Sequence, residues 1–157
     1  MTERPTVHEV LSAVMADVGA VAKRDKNDSQ NFMFRGIDAV LNAVGPAFRS
    51  HHVITTPNVL RDTYEEILVG KDRRPIGHVV LLVEYEFTGP AGDSMTCVVP
   101  GEAMDSGDKA YSKAMSVAFR TALIQVLGLP TDEPDPDSTS YERAPKPEPK
   151  PEPKPAA

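Results

Sequence analysis

Four side chains stand at helical intervals in residues 101–123 of the 157-residue chain: Lys109, Lys113, Ser116 and Arg120. At about 100° of rotation per residue they fall on one narrow stripe. Tyr111, Ala114, Met115, Ala118, Phe119 and Ala122 occupy the other side. Three cations and a hydroxyl on successive turns can track the phosphates of a strand. The alanines are small enough to let the opposite face pack close to a sheet. A solvated helix face carries the same residue types, so periodicity alone leaves both readings open.

Two further basic groups and a few rings could complete such a site. Lys71, Arg73 and Arg74 lie in one loop and could form the opposite wall of a groove; the same residues suit a solvated hairpin tip. Lys23, Arg24 and Lys26 follow a helical pattern and read first as a helix end. Phe32, Phe34, Tyr64 and Tyr85 could stack on bases. With aromatics at only 6% of the chain, the phenylalanines read first as core residues.

Acidic residues raise a different chemistry. Glu102, Asp105 and Asp108 could hold Mg²⁺ in a nuclease. The simpler reading is that Asp105 or Ser106 caps the final helix and Asp108 sits in its first turn. His51 and His52 are adjacent and do not share a face, and nothing else has ligand spacing. These two, His8 and His78 read as structural or surface groups, and no metal site is expected. There is no phosphate loop of the P-loop form, which speaks against ATP-driven chemistry. No nucleophile–base pair stands out, so neither a catalytic residue nor a cofactor is expected.

Composition bounds the rest. Nine of fifteen prolines fall in residues 130–155, and residues 131–157 offer little to bury. The expected division is a folded domain over 1–130 and a disordered Pro/Glu/Lys-rich tail over 131–157. The tail alternates Pro with Lys or Glu and should stay extended, partly as polyproline II. Residues 1–130 hold 13 Lys and Arg against 16 Asp and Glu, and 131–157 hold 4 against 7, a balance of −3 in each. A DNA site must therefore be a local stripe on an acidic molecule. One cysteine, Cys97, rules out an intrachain disulfide and suits a reducing cytoplasm. No apolar run is long enough to span a bilayer, and the N-terminus lacks the order of a signal peptide.

The elements that would position the stripe can be read in order. Thr6 and Glu9 form a capping box before Val7, Val10, Leu11, Val14, Val18 and Val21, a helical pattern. Residues 31–35 are a short extended piece with both phenylalanines on one face. A second helix carries Ile37, Val40, Leu41, Val44 and Phe48, with Asp38 in its first turn and Gly45-Pro46 predicting a kink or break. Strands follow at 53–60, 63–69, 78–87 and 94–99, with Pro57 marking an edge or bulge and Pro100-Gly101 ending the sheet. A long helix over 106–127 ends at Gly128 with Pro130 beyond. The fold class is α+β: a small antiparallel sheet of three to five strands packed with helices, the last one long.

The segment Gly-x-Ala-Met-Asp-x-Gly-Asp-Lys-Ala-x-x-Lys-Ala-x-Ser-x-Ala-x-Arg-x-Ala-Leu, at 101–123, resembles the hallmark of the ERF (essential recombination function) single-strand annealing proteins of phages. Phe32-Met33-Phe34-Arg35-Gly36-Ile37-Asp38-Ala39-Val40 is similar to that family's aromatic-x-aromatic segment before a helix. Leu127-Gly128-Leu129-Pro130 and the acidic residues after it also match, so the resemblance covers about residues 6–137. It implies a protein that anneals complementary single strands without consuming nucleotide and assembles into rings or filaments. It also implies a core shared with the Red-beta and eukaryotic mediator types of annealase, and a variable C-terminal segment.

Together these readings give a non-enzymatic single-stranded DNA-binding protein of recombination and repair, acting as a homo-oligomer in the cytoplasm, away from membranes. Lys109, Lys113, Ser116, Arg120, Lys71, Arg73 and Arg74 would contact DNA, and Phe32, Phe34 and Tyr64 would stack on bases. On an acidic core, affinity would rest on many weak sites acting together. The tail is a spacer by default; docking of a host single-strand binding protein is the alternative. Two rival functions remain: a Mg²⁺-dependent nuclease using Glu102, Asp105 and Asp108, and a protein-binding adaptor using the apolar stripe and the Pro-rich tail.

Overall fold

A computed structural model describes residues 3–18, 25–27, 32–34 and 36–129, the 25–27 and 32–34 pieces in their backbone only. Helix α1 (Val7–Asp17) begins as its capping box predicts. The Thr6 backbone N–H donates to Glu9 Oε2 at 2.8 Å, and the Glu9 N–H donates to the Thr6 hydroxyl at 3.4 Å. Asp93 adds a tertiary cap, accepting the Val7 N–H at 2.9 and 3.0 Å. Val7, Val10, Leu11 and Val14 face the core.

The strands β1 (Asp25–Asn27) and β2 (Phe32–Phe34) pair antiparallel, with Asp25 opposite Phe34 and Asn27 opposite Phe32. The first of these lies in the basic run that reads in the sequence as a helix end. Helix α2 (Ile37–Ser50) runs through Pro46 without the predicted break. Proline removes one backbone hydrogen bond there. The clash its ring would make with the preceding side chain is avoided because that residue is Gly45.

The main sheet has three antiparallel strands in the order β3 (Ile54–Val69), β4 (Arg74–Thr88), β5 (Ser94–Asp105). The two strands expected at 53–60 and 63–69 are one edge strand, with a register shift between Val59 and Arg61 in place of a turn. An extra residue absorbed as a bulge leaves the ladder intact on both sides. Pro57 lies on this edge, where a missing N–H is tolerated. The expected loop at 70–77 is shorter, since β4 already starts at Arg74. Strand β5 continues six residues past Val99: Pro100 pairs with Leu82 and Gly101 with Leu81. It is the other edge, so Pro100 does not interrupt an inner ladder.

Alternation along β4 divides the sheet. Val79, Leu81, Val83, Tyr85 and Phe87 are buried under the helices. The opposite face carries His78, Val80, Leu82, Glu84 and Glu86 and is open, with Val80, Val98 and Met104 exposed. Helix α3 (Ala110–Val126) packs chiefly on β5 and β4. Its 17 residues are fewer than the long helix expected over 106–127, because 106–109 form a loop. Its end is as expected: Gly128 has φ 52°, the Leu129 N–H returns to Ile124 O at 3.1 Å, and Leu129 is buried.

The close approach of α3 has a specific cause. Ala110, Ala114, Ala118 and Ala122 recur every fourth residue and are buried against the sheet. Ala114 and Ala118 meet Gly101, where a Cβ would lie 2.4 Å from Ala114 O and 2.8 Å from Ala118 Cβ. The architecture is thus α+β, with helices packed on one face of the main sheet. Among the described residues no helix is long and apolar enough to cross a membrane. The tail beyond residue 129, Lys23, Arg24 and the side chains of Lys26, Phe32 and Phe34 lie outside the described residues.

Candidate nucleic-acid interface

The alanine ladder fixes which way the cations point. With Ala110, Ala114, Ala118 and Ala122 against the sheet, Lys109, Lys113, Ser116 and Arg120 lie on the outer side of α3. Lys109 and Lys113 are exposed, and Ser116 and Arg120 are half-buried. The Ser116 hydroxyl donates to Ser112 O at 2.9 Å and keeps its lone pairs for another donor.

The loop ahead of α3 is organised by one carboxylate. Asp105 ends β5, and its Oδ2 accepts the Gly107 N–H at 2.9 Å and the Lys109 N–H at 3.1 Å. Its Oδ1 accepts the Lys113 ammonium. Lys113, then the Lys109 and Gly107 N–H groups, hold the Asp105 carboxyl down to about 2. Lys109 is the N-cap residue and makes no side-chain cap bond, so the expected cap role passes to Asp105 from outside the helix; Ser106 does not cap it. Asp108 lies in the loop, not in the first turn, which holds no acid.

The acids do not converge. Glu102 and Asp105 are three residues apart on one strand, and an odd spacing sends them to opposite faces. Glu102 lies on the open face and bonds His78 Nε2 at 2.7 Å, while His78 Nδ1 meets Glu65 at 3.1 Å. These carboxylates, Glu102 first, raise the His78 pKa above its ordinary value. Among the described residues no three His, Cys, Asp or Glu side chains gather to hold a metal ion. His51 pairs with Asp17 at 2.7 Å. His52 takes a left-handed φ of 56° just past α2.

The other basic group stands apart. Lys71, Arg73 and Arg74 are exposed at the tip of the β3–β4 hairpin. Strand rise sets that tip roughly 16 Å beyond Tyr64 along the strand.

Aromatic rings do gather beside α3. Tyr64 stacks on Tyr111 with centroids 6.2 Å apart and planes 9° apart. The Tyr111 hydroxyl donates to Asp62 Oδ2 at 2.7 Å, a bond that raises its pKa. Both rings are about half-exposed. Tyr111, on the side of the helix that the sequence pattern assigns to packing, is instead held at the surface by Asp62 and Tyr64, two residues that share a face of the edge strand. Tyr85 is buried and stacks on Phe119 at 5.1 Å, so it belongs to the core. Burial pushes its hydroxyl up to about 12. Further along α3 an open cleft of about 390 Å³ lies between α2, β3 and α3, and Ser116 of the stripe is on its rim.

Comparison with known families completes the picture. The model of the ERF superfamily matches residues 7–157. No curated protein matches the chain. The hallmark segment now has a physical account, with Gly101 and the alanines as the sheet contact, Asp105 and Gly107 as the latched loop, and the cations as the outward face. The chain belongs to the ERF superfamily, a membership that supports a recombination function of the annealing type.

Proposed function

We propose that the protein binds single-stranded DNA along the outer face of α3 and anneals complementary strands without ATP, as a binding protein rather than an enzyme. The observation that carries this reading is the opposition on α3: the alanine ladder is sealed on the sheet while Lys109, Lys113, Ser116 and Arg120 face out. From Lys109 to Arg120 the helix rises roughly 16 Å, the length of about five phosphates at stacked spacing. Backbone contacts of this kind leave base edges free to test a partner strand. Tyr64 and Tyr111, half-exposed at the helix start, supply a stacking surface.

The working form is a homo-oligomer, ring or filament, acting in the cytoplasm. An open sheet face with exposed Val80, Val98 and Met104, and two sheet edges that no strand among the described residues pairs with, support self-assembly. In such an assembly the basic hairpin tip, Lys71, Arg73 and Arg74, would serve a neighbouring protomer's strand. The tail is read as a spacer that can dock a host single-strand binding protein. The opposed faces of Glu102 and Asp105 disfavour the nuclease.

The test is annealing of two complementary fluorescent oligonucleotides, without ATP, in EDTA and in Mg²⁺, over a salt series. The expected result is faster annealing with intact strands, falling with salt, and lost in the folded Lys109→Ala/Lys113→Ala/Arg120→Ala protein. No annealing or DNA binding at low salt would move the adaptor reading to first place, and Mg²⁺-dependent strand loss would favour the nuclease.

A further inference from the structure

We infer that the cleft between α2, β3 and α3 receives a single unpaired nucleobase from the strand whose phosphates run along α3. The inference rests on the proposed DNA reading and goes beyond it, because it assigns a base site and a consequence for strand selection.

The cleft, about 390 Å³, is within the range of small-ligand sites. Its walls are largely apolar: Ile37 and Leu41 from α2, Pro57 from β3, Met115 and Phe119 from α3. Phe119 lies flat on Tyr85, with planes 20° apart, so one wall is a two-ring stack. Flat apolar walls suit the faces of a base. The polar groups are few and placed at the sides. Asp38 can accept an N–H from a base edge. Thr55 brings to the wall a buried hydroxyl with no hydrogen-bond partner, the one such side-chain atom among the described residues. A buried hydroxyl without a partner is disfavoured until something supplies one. The hydroxyl is closed over in the cleft as it stands, so a base carbonyl or ring nitrogen becomes its partner as the wall opens around the base.

Charge complementarity commits the occupant to a nucleic-acid strand over an apolar peptide. Ser116 both lines the cleft and belongs to the cationic stripe, with Lys113, which also holds Asp105, and Arg120 each about one turn away. A base in the cleft would leave its phosphate beside those cations. A base already paired in a duplex cannot turn into the cleft without losing its partner and its stacking. The cleft therefore favours single strands, and pairing withdraws the base and loosens the product duplex.

The test compares oligothymidylate with an abasic deoxyribose-phosphate strand of equal length, by fluorescence anisotropy at fixed salt with the full chain. Two variants accompany the wild type. Leu41→Trp, at a half-exposed position, places an indole across the cleft mouth in a chain that has no tryptophan. Thr55→Val keeps the wall's shape and removes the hydroxyl. The expected result is about tenfold tighter binding of oligothymidylate than of the abasic strand. Leu41→Trp and Thr55→Val should each reduce that difference, what remains being the stacking on Tyr64 and Tyr111, with abasic binding unchanged in both. If the wild type binds both strands alike, or if both variants keep the full difference, the base site is overturned while the phosphate stripe stands. If neither strand binds, the DNA reading falls and the base site with it.

Discussion

The Lys113 ammonium and the Asp105 carboxylate close the loop that leads from the sheet into α3, and the same carboxylate holds the Gly107 and Lys109 N–H groups. One side chain thus ties the end of β5 to the first turns of the helix that carries the cations. The Asp105 carboxyl is held from its ordinary 3.8 down to about 2. A depressed folded pKa stabilises the protein above the ordinary value, and that contribution disappears as pH falls from about 3.8 to about 2. Asp105→Asn should lower the thermal midpoint at neutral pH and flatten its dependence on pH in that acid window. Superimposable melting curves for the two proteins across the window would remove the latch from this account.

His78 bridges two strands in the opposite sense. Its pKa is raised by Glu102 and Glu65. A raised folded pKa gives stabilisation that is complete below the ordinary 6.5 and is lost as pH rises through the folded value. His78→Gln should therefore cost more thermal stability at pH 5.5 than at pH 9. An equal cost at both pH values would show that protonated His78 contributes nothing.

Gly101 is the point where α3 touches the sheet. The Cβ of Gly101→Ala would sit 2.4 Å from Ala114 O, and neither partner is a flexible side-chain end. The helix must move away, at a cost of about 1–3 kcal/mol, read by urea denaturation. Gly70→Ala makes a useful contrast, since nothing lies within 4 Å of its added Cβ and its cost comes from a φ of 75° alone.

Tyr64 and Tyr111 separate ring stacking from hydroxyl chemistry. Tyr111→Phe removes the bond to Asp62 and keeps the ring, so single-strand affinity should hold. Tyr64→Ala should weaken binding by about 1–3 kcal/mol if one base stacks there. The salt slope should be unchanged by either variant. The Lys109→Ala/Lys113→Ala/Arg120→Ala protein should instead lose about 0.7 in slope for each phosphate contact removed. A slope change in the tyrosine variants would mean that they disturb the cations instead.

Local patterns in the sequence determined a good part of this protein. The capping box at Thr6 and Glu9, the period of 3.6 in the helices, the glycine end at Gly128 and the bare side of α3 each depend on neighbours within a few residues. Pattern reading can see such relations. The ERF family was legible for the same reason, since its hallmark is contiguous at 101–123.

Only the tertiary structure decided the rest. Pro100-Gly101 reads as a break, yet β5 runs through it, because an edge strand tolerates the proline and α3 requires the glycine. Two short strands became one because β4 is long enough to pair across the bulge at Val59 and Arg61. Asp105 could not be told from a cap or a metal ligand until the β5 register put Glu102 on the other face of the sheet. The Tyr64–Tyr111 pair and the cleft at Thr55 join residues far apart in the chain. No local period connects them, and only the packing of α3 across β3, β4 and β5 brings them together.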